Sequence, residues 1–220
     1  MKGYIISGLL SRIHGVVHGF GTRNGGDIGD KFPVAHLKQI HSARVIQVAA
    51  AGSQGEADAM IASVPGIALA IRTADCVPVL ISDSGGKVVS AVHAGWRGVL
   101  SGIVNETLKT FRDVYKFSGK DIIAAIGPCI EKSCYEVGND VVSEFRNRYG
   151  WWANIIEIKN GRNLLDLRKS ITIQLKEEGV HDRNIDHVDI CTFCRGDLLY
   201  SWRRDKDPQE RMHSFIVLKG

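Results

Sequence analysis

With 220 residues the chain can bury one sizeable hydrophobic core, or at most two small ones. Its 44% hydrophobic and 24% charged residues are ordinary for a globular protein. The net charge of +4 comes from scattered basic residues rather than a stripe, which argues against nucleic acid as a partner and leaves room for small anionic substrates. Five cysteines do not make a disulfide framework at this length, the opening MKGYIISGLLSRIHG has no secretion-signal pattern, and no run approaches the roughly 20 apolar residues of a membrane span. A cytoplasmic protein without a membrane partner is expected.

Taken in order, residues 4–6 and 16–17 read as short strands broken by glycines. Residues 19–26, GFGTRNGG, are either a glycine-rich turn or an anion-binding loop supported by Arg23, without the lysine of a P-loop. His36 and His41 precede a strand at 44–48, where a lone histidine is ordinarily a surface or hydrogen-bonded residue. Residues 52–59 read as loop and 67–72 as an apolar strand. After a hairpin at 77–92, apolar residues Leu100, Ile103, Val104, Leu108, Phe111 and Val114 recur at three and four and predict a helix through Phe117. Arg97 falls in its first turn, where free N–H groups and the helix dipole favour a phosphate. A strand at 121–126, a helix at 139–149, a strand at 154–158, a helix capped by Asp166 and ending before Gly179, and strands at 186–190 and 214–218 complete the chain. With no repeat and no linker, residues 1–220 are expected to form a single α+β domain of mixed β-sheets flanked by helices.

The hairpin organises the rest. Residues 77–82 and 87–92 are strand-like, apolar on both faces, and separated by Asp83-Ser84-Gly85-Gly86. Pairing Ser82 with Lys87 sets Cys76 opposite His93. On one face of a sheet their Cβ atoms would lie roughly 4.5–5.5 Å apart. That suits two ligands of one metal ion, or a thiolate beside its base; a one-residue slip would undo it.

Five segments in this order, KQIHSARV around His41, TADCVPVLI at 73–81, AVHAGWRG at 91–98, IGPCIEKSCYEVG at 126–138 and SWRRD at 201–205, closely resemble the YfiH-like family, also called the laccase-domain or polyphenol oxidase family. Thr22-Arg23-Asn24-Gly25-Gly26 and Cys191-Thr192 fit as well, so the resemblance spans essentially the whole chain. It implies an α/β/β/α layered fold and a catalytic zinc held by His41, Cys76 and His93. It also implies a purine nucleoside phosphorylase that cleaves adenosine, inosine and methylthioadenosine with phosphate to free base and ribose 1-phosphate, with adenosine deaminase activity. The stretch between Gly26 and His36 is shorter than is usual in the family, and Arg72 before TADC is not part of the motif.

Zinc accepts thiolate and imidazole, and a catalytic site keeps three protein ligands and one open position. Copper would bind the same set, so the ligands alone do not name the metal. Asp75 is a candidate general acid/base or a carboxylate orienting a ligating histidine, or else a turn residue capping local N–H groups. Cys129 and Cys134 read as packed small residues, and Cys191–Cys194 as a lone CxxC without a second pair. Trp96 and Trp202 read as core or pocket wall. Arg203 and Arg204 either close a site over an anion or form a solvated pair. Three other classes compete. A cysteine hydrolase would use Cys76 and His93 as nucleophile and base. A non-enzymatic binding module would leave the convergence of His41, Cys76 and His93 unexplained. A copper oxidase would need further ligands, and His14, His18, His36, His181, His187 and His213 show no sequence clustering.

Overall fold

A computed structural model describes residues 3–220 and places two six-stranded mixed sheets face to face. The first runs from edge to edge through Tyr4–Ile5, Val16–Gly21, Met212–Leu218, Ala68–Thr73, Val34–Lys38 and Gly52–Glu56. The second runs through Ile185–His187, Ile122–Ile126, Val77–Asp83, Val89–Ala94, Ala59–Ala62 and Val45–Gln47. A small third sheet joins Glu136–Val137, Arg162–Leu165 and Ile156–Lys159.

Side chains alternate across a strand, and here the alternation sorts the core into layers. Val77, Val79, Ile81, Val92 and Ala94 turn to the helices Ile103–Asp113 and Leu167–Glu177. Leu80, Val89 and Ala91 instead meet Phe20, Leu69, Ile71 and Ile216 of the other sheet. The far face of the first sheet, with Ala70, Phe215 and Val217, is covered by Ile28 and Phe32. The layered α+β architecture is the one expected, with its outermost layer reduced to the short 3-10 turn Ile28–Asp30 and its flank. Every residue of Val77–Asp83 and Val89–Ala94 is buried, as strands apolar on both faces require.

The hairpin register differs from the expected one. Ser82 pairs with Val89 and Val77 with Ala94, so His93 faces Pro78 and position 76 falls opposite Gly95. The cause is Asp83. Its buried carboxylate accepts the N–H groups of Gly85 (2.9 Å), Lys87 (2.7 Å) and Val88 (2.7 Å), which moves the loop to residues 84–88 and starts the return strand at Val89, two residues late. A shift of two keeps every side chain on its face. Cys76 and His93 therefore become diagonal rather than direct neighbours.

Other departures have local causes. The expected helix through Phe117 is two, Trp96–Ser101 and Ile103–Asp113, because Gly102 at φ +82° takes the left-handed conformation between them. Residues 52–59, expected as loop, contain the strand Gly52–Glu56 and lead into Ala59–Ala62. The former is a polar edge strand with no apolar alternation to betray it. Residues 152–155 form a helical turn ahead of Ile156–Lys159, where a strand was expected from 154. The glycine segment is a packing junction: Arg23 donates to Leu199 O (3.2 Å) and the Asp205 carboxylate (3.2 Å), so its guanidinium is already engaged. Among the described residues no helix is long and apolar enough to cross a membrane.

Candidate metal centre and its cleft

Asp58, fully buried at the start of the Ala59–Ala62 strand, gathers the site. Its Oδ1 accepts from His93 Nδ1 (2.8 Å) and His41 N (3.0 Å). Its Oδ2 accepts from Ile40 N (3.3 Å), Ser42 N (2.6 Å) and Ser42 Oγ (2.8 Å). The main chain adds a bond from His93 N to Asp58 O at 2.7 Å. Burial alone would raise the Asp58 pKa, but the bonds from His93 and Ser42 outweigh it and hold the carboxyl at about 2. The same bonds hold His41 at φ +60°, a left-handed conformation that costs a non-glycine residue on the order of 1–3 kcal/mol.

His41, Cys76 and His93 converge from three segments, their donor atoms all within 4.8 Å of one another. Cys76 Sγ lies 3.9 Å from His41 Nε2, and the two imidazole rings meet edge to face at 4.9 Å. Zinc bonds of about 2.3 Å to sulfur and 2.0–2.1 Å to nitrogen at tetrahedral angles place sulfur and nitrogen donors about 3.6 Å apart, so the group fits such an ion with small side-chain movement. Because Asp58 occupies His93 Nδ1, Nε2 is the nitrogen left to face the group. Burial would raise the Cys76 thiol, but His93 and His41 pull it down to about 6. Burial would lower His93, but Cys76 and Asp58 lift it to about 9. Each group thus favours the charged form of the other. Gly95 is required where it stands: a Cβ there would lie 2.9 Å from both Cys76 Sγ and His41 Cδ2.

The group opens into a cleft of about 620 Å³ whose walls are basic and aromatic. Arg72, Arg97, Arg203, Lys206 and Arg211 line it against the single carboxylate of Asp75. Trp96, Tyr135 and Trp202 supply flat faces. Arg97 is exposed and its guanidinium rests 4.4 Å over the Trp96 ring. Arg203 lies 5.1 Å over Tyr135 and donates to Glu136 O, whereas Arg204 turns away to the carbonyls of Thr192, Phe193 and Leu199. Of the two arginines, then, one enters the cleft. Arg72, which had no sequence-based role, is held there by its backbone: Arg72 N donates to Gln39 Oε1 and Gln39 Nε2 to Arg72 O, both at 2.8 Å.

Asp75 sits at φ +86° with its oxygens on Thr192 Oγ1 (2.6 Å) and Arg203 N (2.6 Å). It does not touch either histidine; the carboxylate that orients His93 is Asp58, which lies in the stretch 52–59 expected as loop. Its one sequence signal was an acid directly before the apolar run Ala59-Met60-Ile61-Ala62. His14, His18, His36, His181, His187 and His213 join no group of three metal-type donors among the described residues.

Fold and site define a class: a layered, two-sheet α+β protein with a His-Cys-His donor group at the base of a basic cleft. Residues 23–219 match the family described as multi-copper polyphenol oxidoreductase laccase, and the chain belongs to that family, whose members include the YfiH proteins. Among its relatives is the purine nucleoside phosphorylase of Clostridium acetobutylicum, 38% identical over 188 residues, covering 84% of this chain and 77% of that one. Purine nucleoside phosphorylase YfiH of Escherichia coli is 35% identical over 184 residues, covering 83% and 72%. A crystal structure of a Neisseria meningitidis protein superposes with a TM-score of 0.87 at 30% identity, covering 100% of both chains.

Proposed function

We propose that this cleft binds a purine nucleoside and inorganic phosphate and exchanges the glycosidic bond for a ribose 1-phosphate ester, with deamination of adenosine as a second reaction at the same centre. The observation that carries the reading is the convergence of His41, Cys76 and His93 at the base of a cleft that is both cationic and aromatic-walled. The names of the relatives support it. His41, Cys76 and His93 would hold zinc, or copper, and such an ion supplies Lewis acidity to the centre. The YfiH-like family resemblance adds inosine and methylthioadenosine to the expected substrates.

The chain's own residues account for binding and orientation. In phosphorolysis a phosphate oxygen forms a bond to the ribose anomeric carbon while the bond to the purine nitrogen breaks and its electron pair leaves with the base. Arg97 is assigned to the phosphate: its guanidinium is pre-set by stacking on Trp96, and charge-assisted contacts to phosphate are among the stronger hydrogen bonds. Of the cleft's rings, the exposed Trp202 suits a planar base, whereas Trp96 and Tyr135 lie under Arg97 and Arg203. Asp75, with both oxygens accepting, is a positioning residue: it fixes the Arg203 backbone and Thr192 at the cleft rim.

Chromatography of adenosine incubated with the protein, with and without phosphate, tests the reading, with Cys76→Ala and its metal content run alongside. Adenine and ribose 1-phosphate formed only with phosphate, and lost with the metal in the variant, are expected. Inosine alone would reduce the reading to a deaminase, and no turnover by metal-loaded protein would end it.

The proximity of the Cys76 and His93 donor atoms, within 4.8 Å of each other, favours one second reading, a cysteine hydrolase with His93 as the base. Alkylation of Cys76 that abolishes activity on an amide substrate, in protein stripped of metal, is its expected signature. Activity that depends wholly on added metal excludes it.

A further inference from the structure

The three cysteines Cys134, Cys191 and Cys194 come together outside the cleft, with their sulfurs all within 4.8 Å. Cys134 closes the 3-10 turn Lys132–Cys134, while Cys191 forms an isolated bridge with Cys129, and Cys194 follows three residues on. The sequence shows only a lone CxxC; the fold brings a third thiol to it from 57 residues away, the difference between positions 134 and 191. We propose that Cys134, Cys191 and Cys194 form a second metal site, a three-thiolate centre for a thiophilic ion of the zinc type, distinct from the His-Cys-His group.

The convergence of three sulfurs, where a redox pair needs two, favours a metal. Cys134 Sγ and Cys194 Sγ are 3.5 Å apart, and all three cysteines are free thiols. Zinc–sulfur bonds of about 2.3 Å at tetrahedral angles place sulfurs about 3.8 Å apart, close to this separation. Glu131 N donates to Cys191 Sγ at 3.5 Å, the kind of main-chain bond that supports a thiolate. Cys194 is exposed and Cys134 half-buried, which leaves a path for the ion and a fourth position for water. Each thiol releases its proton as it ligates.

The site would brace the cleft. Tyr135, next to Cys134, lines the cleft, and Thr192, next to Cys191, donates to Asp75. An ion held by both segments clamps these two walls together. The inference does not rest on the purine reading.

Zinc titration of the reduced, metal-stripped full chain against a chromophoric competitor tests it. Cys76→Ala, which removes a ligand of the first group, is expected to keep one tight equivalent, and Cys76→Ala/Cys194→Ser to bind it at least 100-fold more weakly. Equal zinc binding by the two would overturn the proposal. Because the double variant can lose its fold, wild-type protein is also pulsed with N-ethylmaleimide and read by mass spectrometry. Zinc is expected to protect Cys134 and Cys194, whereas equal labelling with and without zinc, or a Cys134–Cys194 disulfide formed in air with no protection by zinc, overturns the site.

Discussion

The Asp58 carboxylate and the His93 imidazole, 35 residues apart in sequence, are joined at 2.8 Å through Nδ1, and both are buried. Asp58 also accepts three main-chain N–H groups from residues 40–42, so one side chain sets the ring of one candidate ligand and the backbone of another. Asp58→Asn is therefore expected to weaken zinc binding at the His-Cys-His group by roughly 10–100-fold, the usual cost of losing such a partner. Competition titration in a Cys194→Ser background checks it, and unchanged affinity would show that His93 is oriented by something else.

Gly95→Ala separates the metal group from the fold. Gly95 has φ −79°, open to any residue, so the backbone tolerates alanine. The added methyl meets Cys76 Sγ and His41 Cδ2 at 2.9 Å. Loss of most zinc at this group with Tm lowered by only a few degrees is the expected result. Full metal content would mean that the donors sit farther from residue 95.

Arg97→Ala tests the phosphate assignment. The expected outcome is a phosphate KM raised about tenfold or more, the equivalent of about 1.4 kcal/mol, with the nucleoside KM little changed. An unchanged phosphate KM assigns the anion to another of the cleft's basic residues.

His18 predicts a pH dependence away from the site. It is buried between the sheets, its Nε2 accepts Ser7 N at 2.9 Å, and burial, outweighing the charge of Asp186, lowers its pKa to about 4. Between pH 6.5 and 4 the unfolded histidine takes up a proton that the folded one refuses. The stability from neutral His18 is therefore present above 6.5 and lost as pH falls toward 4, at up to about 1.4 kcal/mol per pH unit. His18→Gln, which can still accept from Ser7, is expected to show a shallower loss over that window in urea titrations at pH 7, 5.5 and 4.5. Parallel curves for the two proteins would remove His18 as the cause.

Elements with a strong internal period were legible in the chain. Ile103–Asp113 and Leu167–Glu177 each carry an apolar face at three-and-four spacing, and Asp166 accepts from Lys169 N as an N-cap should. The hairpin was legible to within two residues. The neighbourhood of Cys76 and His93 survived that error because a shift of two preserves the face.

What the chain determined by itself was local: periodicity, caps, the parity that turns Cys76 and His93 to one side, and the motifs that place it in its family. What only the tertiary structure decided was which distant groups meet. Asp58 reaches His93 and residues 40–42, Asp75 reaches Thr192 and Arg203, and Cys134 reaches Cys191 and Cys194. Such contacts join positions 16 to 128 residues apart. No local pattern encodes them, because hydrogen-bond and ligand partners are chosen by which strand ends and loops the packed sheets bring to the same place.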